Sequence, residues 1–148
     1  MKYIEAPEEY VYQNGDGYSH FLAGGITGCP EWQAEAIEML KETNLVIFNP
    51  RRKFFSNDSQ SAIDQITWEH HHLRKAHAII FWFPCEMLCP ISLFELGAWS
   101  MKNTKPIYVG VHPDYPRKLD VEIQTKLVRP NLKIVYSLEN LIEQVIKR

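Results

Sequence analysis

The sequence predicts an α/β fold: a mainly parallel sheet of five strands covered by helices on both faces. Three observations carry this. Apolar runs of strand length alternate with segments of helical periodicity along most of the chain. The strand runs are apolar at successive positions, as strands buried on both faces are. Glycine, proline and polar clusters close the strands, so each run hands over to a helix, the layering of an α/β domain.

Taken in order, residues 1–17 are mixed and end in the turn-rich QNGDG; Tyr3, or Tyr10 to Tyr12, is a candidate short edge strand. From Tyr18, HFLAGG reads as the first strand of the domain, closed by two glycines. A helix from Pro30 to Glu42 follows, with Ala34, Ala36, Ile37 and Leu40 on its apolar face. Leu45 to Phe48 is a second buried strand, ended by Pro50, which removes a donor. A helix is expected from Ser59 to Lys75, with Ala62, Ile66 and Leu73 on one stripe. Glu69 falls on that same inward stripe, an unusual place for an acid. Next come a strand at Ala78 to Pro84, a short loop, and a helix through Ser92, Glu95 and Trp99. A strand at Pro106 to Val111, a helix around Leu119 to Leu127, a strand at Leu132 to Val135 and a closing helix from Leu138 to Lys147 complete the order.

Length and composition narrow the classes. At 148 residues, the chain suits one domain over residues 1–148 with enough core to stand alone. The 45% hydrophobic and 23% charged fractions are those of a globular protein, and a net charge of -2 gives no reason to expect nucleic acid or an anionic membrane as partner. No apolar run reaches the ~20 residues of a membrane-spanning helix. Three cysteines, Cys29, Cys85 and Cys89, behind a start without a signal-peptide pattern, fit a reduced, cytoplasmic protein.

In an open parallel sheet, ligands sit beyond the carboxyl ends of the strands, so the residues after each strand are the candidate site. After the first come Gly24 and Gly25, either an ordinary turn or backbone that lets a ligand approach closely. After the second come Asn49, Arg51 and Arg52, with guanidinium groups suited to phosphate or carboxylate. After the third come Phe83, Pro84, Cys85, Glu86, Cys89 and Ser92, and then Glu95 within FELGAW, where Gly97 is expected to let a neighbour approach. Glu95 is either a carboxylate favoured by the helix dipole or a nucleophile or general base. His70, His71 and His72 point ~100° apart on a helix and cannot converge on one ion, so no metal site is expected.

The order FLAGG, FNPRR, a helix bearing Glu69, and AHAIIFWFP leading into SLFELGAW resembles the nucleoside 2-deoxyribosyltransferase family and its 2'-deoxynucleoside 5'-phosphate N-hydrolase relatives. The resemblance runs from about Tyr18 to Val111 and extends through HPDYPRKLDVEIQT in a deoxyribosyltransferase-like subgroup. It implies a flavodoxin-like three-layer sandwich, a small-molecule substrate, no cofactor and a homo-oligomer. It places Glu95 at the family nucleophile and Glu69 at an acid that positions the nucleophile or sugar. The family's further acid, six residues before the nucleophile, is Cys89 here, so either the substrate contacts differ or Glu86 substitutes from the same loop. Three functions follow as expectations: transfer of deoxyribose between bases, hydrolysis of deoxynucleoside monophosphates, and a binding module without catalysis.

Overall fold

A computed structural model describes residues 1–54, 56 and 58–147. The elements are β1 (Lys2–Glu5), β2 (Ser19–Gly24), α1 (Trp32–Leu40), β3 (Val46–Asn49), α2 (Ser59–Lys75), β4 (Ala78–Phe83), α3 (Pro90–Ser100), β5 (Ile107–Val111), α4 (Lys118–Val128), β6 (Ile134–Val135) and α5 (Leu138–Ile146). The sheet has six strands in the order β1-β3-β2-β4-β5-β6, and every pairing is parallel. The expected five-stranded, mainly parallel sheet is thus corrected to six. The added strand is β1, which contains Tyr3 and pairs with β3. Tyr10 to Tyr12 is irregular instead, and Tyr10 is buried with its ring 5.2 Å from that of Phe48.

The two faces follow from strand alternation. Phe21, Ala23, Phe48, Ile79, Phe81, Phe83 and Val109 point to one side, where they meet Trp68 and Leu73 of α2, Leu96 and Trp99 of α3, and Val121 of α4. Leu22, Ile47, Ile80, Trp82 and Tyr108 point to the other and pack on Trp32, Ala36 and Leu40 of α1 and Leu141, Ile142 and Val145 of α5. Three layers result. From β2 the chain crosses to β3 on one side of β2, then returns past it to β4 on the other. The order therefore reverses between β2 and β4, the position at which such sheets open a crevice.

Most expected elements recur with their ends shifted by one or two residues; α2 keeps its bounds. Its inward stripe differs. Ile66 is 65% exposed, and the buried side carries Trp68, His72 and Leu73, with Gln65 and Glu69 partly buried beside them. Helix α2 starts on Asp58, whose carboxylate accepts from the Ser61 amide at 2.9 Å. Of the three consecutive histidines, His70 and His71 are exposed and His72 is fully buried, stacked on Trp68 with ring centres 4.0 Å apart. Among the described residues, no helix is long and apolar enough to cross a membrane.

His72 Nδ1 lies 2.9 Å from the Trp68 carbonyl, which only accepts, so that nitrogen carries the hydrogen. Burial holds the imidazole below its usual 6.5, because the charged form has lost its water. The unfolded chain binds the proton more readily. His72 therefore contributes stability that is present above pH 6.5 and lost as pH falls through its lower folded value. We expect the thermal midpoint to drop as pH is lowered from 7 to 5, and His72→Phe to flatten that part of the profile; an unchanged slope in the variant would assign the loss to other groups.

Candidate active site

At the reversal point, the carboxyl ends of β2, β3 and β4 open onto a cleft of about 470 Å³. This is within the range of small-ligand sites. Its floor and one wall are Phe21, Ala23, Gly24, Gly25, Ile26 and Thr27; Pro50 and Arg52 follow β3; Gln65 and Glu69 come from α2; Met87, Cys89, Pro90, Ile91, Ser92 and Glu95 come from the β4–α3 connection and α3. The lining is mostly apolar around a small number of polar groups.

The glycines are required by packing. A Cβ on Gly24 would lie 2.3 Å from the Trp82 carbonyl oxygen, and one on Gly25 would lie 2.4 Å from Cys29 Sγ and 2.7 Å from Cys89 Sγ. The Gly25 carbonyl accepts from Trp32 Nε1 at 2.8 Å and Gln33 Nε2 at 3.2 Å, which fastens the turn to α1. On the opposite rim, the Tyr115 hydroxyl donates to the Leu88 carbonyl at 2.6 Å and holds the β4–α3 loop down. Cys89 precedes α3 with φ of 48°, the left-handed region that non-glycine residues seldom occupy.

Glu95 lies in the second turn of α3, whose first turn contains no acid. The dipole effect fades within the first turn, so favourable capping does not explain this carboxylate. Glu69 faces it from α2. Burial, reinforced by the Glu69 charge, pushes the Glu95 carboxyl up to about 8. Burial raises Glu69 as well, while a hydrogen bond from Gln65 and the nearby Arg52 charge act in the opposite direction. Two carboxylates that share a confined space hold one charge more easily than two. The three thiols differ: burial raises each of them, Cys89 to about 12, so none has the depressed value of a reactive cysteine.

The cleft thus brings together Gly24, Gly25, Glu69, Cys89, Ser92 and Glu95 from the sequence candidates. The others lie elsewhere. Asn49 is buried, donating to the Tyr3 hydroxyl at 2.9 Å and accepting from the Arg51 amide at 3.0 Å. Arg51 turns to the start of α1, where it donates to Pro30 and Cys29 carbonyls and pairs with Glu31 at 2.8 Å. Its neighbour Arg52 lines the cleft instead. Phe83 is core, Pro84 packs beneath Gly25, and Glu86 is exposed. Gly97 is exposed with open space where a Cβ would be, so no close neighbour explains it. The sequence candidates do not include Gln65, whose position one turn before Glu69 is the available signal.

A family model described as nucleoside 2-deoxyribosyltransferase like matches residues 17–115. The chain belongs to that family. The matched span runs from the start of β2 to just beyond β5 and contains every described residue that lines the cleft. No curated protein matches the chain. Among the described residues of this deoxyribosyltransferase-like protein, no three histidine, cysteine or acidic side chains gather as metal ligands do.

The raised Glu95 makes a stability prediction. A group whose folded pKa is raised contributes stability that is present below its ordinary 4.5 and lost as pH rises through about 8. Glu95→Gln should therefore raise the thermal midpoint relative to wild type at pH 9 and change it little at pH 5. Equal midpoints at both pH values would mean that the carboxyl is not held in its neutral form.

Proposed function

We propose that this protein cleaves the N-glycosidic bond of a 2'-deoxynucleoside with Glu95 as nucleophile and passes the deoxyribosyl group to a second base. A Glu95 carboxylate oxygen bonds to the anomeric carbon as the carbon–nitrogen bond breaks, and the bonding pair leaves with the base, which takes up a proton. A nitrogen of the incoming base then attacks the same carbon as its proton passes to Glu69, which breaks the glycosyl ester and frees the Glu95 carboxylate. The observation that carries this reading is the pair of coupled carboxylates in a nucleoside-sized cleft at the sheet's reversal point. Closely spaced acids support a double displacement of this kind, one as nucleophile and one holding a proton.

The electrostatics suit such a division. When the pair carries one proton, it rests on Glu95; its passage to Glu69 frees the Glu95 carboxylate to attack and leaves Glu69 to return the proton to the departing base. Glu69 is the orienting acid, and Ser92 with the Gly24 and Gly25 backbone forms the wall on which the sugar rests. Cys89 contributes an uncharged edge to that wall.

A second reading, hydrolysis of a 2'-deoxynucleoside 5'-monophosphate, has Arg52 in its favour, since a guanidinium in the cleft lining is suited to a phosphate. Water would then replace the second base. Incubation with deoxyinosine and free adenine separates the two: new deoxyadenosine supports transfer, whereas release of base from a deoxynucleotide without exchange supports hydrolysis.

Glu95→Gln keeps the size and loses the nucleophilic charge, and we expect it to lower kcat by on the order of a thousandfold or more while the protein stays folded. A wild-type rate in this variant would sink the assignment. The wild-type pH–rate profile should be bell-shaped, with its alkaline limb near about 8, where the pair loses its second proton. Glu69→Gln should remove that limb, and a profile identical to wild type would exclude Glu69 from the pair.

A further inference from the structure

Gln65 is a polar group of the cleft that the reaction above does not use. It stands on α2 one turn before Glu69. Its Nε2 donates to the Pro50 carbonyl at 2.8 Å and to Glu69 Oε1 at 2.7 Å, so both amide hydrogens have acceptors. That fixes which way round the amide sits, because turned over it would set oxygen against a carbonyl oxygen. Its own oxygen, Oε1, is then buried with no hydrogen-bond partner among the described residues, on a side chain that lines the cleft. A buried acceptor without a donor is costly, and native proteins keep few of them.

We infer that Gln65 determines specificity: Oε1 accepts a hydroxyl of the deoxyribose, while Nε2 holds Glu69 in the orientation that serves Glu95. The inference rests on the N-glycosidic reading of the cleft. A hydroxyl fits for three reasons. The vacant atom can only accept, so its partner must donate. Glu69, bonded to the same amide, and Glu95 in the same cleft are acceptors too when ionised, so this wall disfavours a phosphate, which is anionic. The two acids flank the reacting carbon in the proposed chemistry, which puts a side chain bonded to Glu69 at the sugar and away from the far edge of the base.

Charged groups facing Glu69 are Glu95 from α3 and Arg52 from the β3–α2 connection; Gln65 is the neutral donor beside it. Removing that donor takes away a bond that favours ionised Glu69, so the acidic limb of the pH–rate profile should move to higher pH. A side chain that only filled space would not move it.

The test is a cycle between enzyme and substrate. Gln65→Met keeps length and loses both polar atoms. kcat/KM and Kd are measured for a 2'-deoxynucleoside and for its 2',3'-dideoxy and 2',5'-dideoxy counterparts. In wild type, loss of one of the two hydroxyls should lower kcat/KM at least about tenfold. Gln65→Met should lose a similar factor on the intact substrate, then respond to loss of that hydroxyl by less than about twofold, with its acidic limb shifted up. Undiminished sensitivity to both hydroxyls in the variant, or wild-type kinetics on the intact substrate, overturns the assignment.

If Gln65→Met does not fold, Gln65→Leu serves, since it too loses both polar atoms without adding a charge. It should show the same loss of hydroxyl sensitivity and the same shift of the limb; retained sensitivity counts against the inference. If wild type turns over no deoxynucleoside, the reaction proposed above fails, and the same cycle run on Kd by calorimetry decides Gln65 alone. Absence of any binding of these nucleosides overturns the role of Gln65 as well.

Discussion

The cleft depends on keeping two carboxylates, Glu69 and Glu95, close together and partly out of water. Neither gains from this in stability, because burial favours the neutral acid in both and the Glu69 charge adds to that at Glu95. The fold bears that cost by placing the acids on two different helices, α2 and α3, each anchored to the sheet by large buried side chains. Trp68 and Leu73 hold α2; Leu96 and Trp99 hold α3. Rotating either helix to release its acid into water would expose those aromatic and aliphatic groups.

The remaining walls are shaped by close contacts. Gly24 and Gly25 leave room where any Cβ would strike Trp82 backbone or two sulfur atoms, which lets β2 run up to the cleft edge. Arg51 and Arg52 show how finely the β3–α2 connection is divided. Arg51 ties the start of α1 together through two carbonyls and an ion pair, and the next residue enters the cleft. Gln65 then joins that connection to the acid pair through Pro50 and Glu69. One amide thus links backbone placement to carboxylate orientation.

Much of the layer architecture was legible because it depends on periodicity. Successive apolar residues in β2, β3, β4 and β5 announce strands buried on both faces, and the alternation with helices limits the sheet to parallel pairing. β1 was harder to read: KYIE is short and carries two charges, and only its pairing with β3 makes it a strand. The orientation of α2 was misjudged for a related reason. The stripe through Ile66 is apolar, yet Trp68 and His72 win the inward position because their mutual stacking, the edge-to-face contact of His72 with Phe48 and the packing of Trp68 against Phe21 bury more surface.

By itself the sequence determined the α/β class, the strand ends where a ligand would sit, and the two acids, since these follow from local pattern and from the motif around FELGAW. Tertiary structure decided the rest. It set Glu95 in the second turn of its helix opposite Glu69, sent Arg51 away and Arg52 in, and left one oxygen of Gln65 buried without a partner. These outcomes depend on which side chains meet across separate elements, and no local pattern in the chain records that.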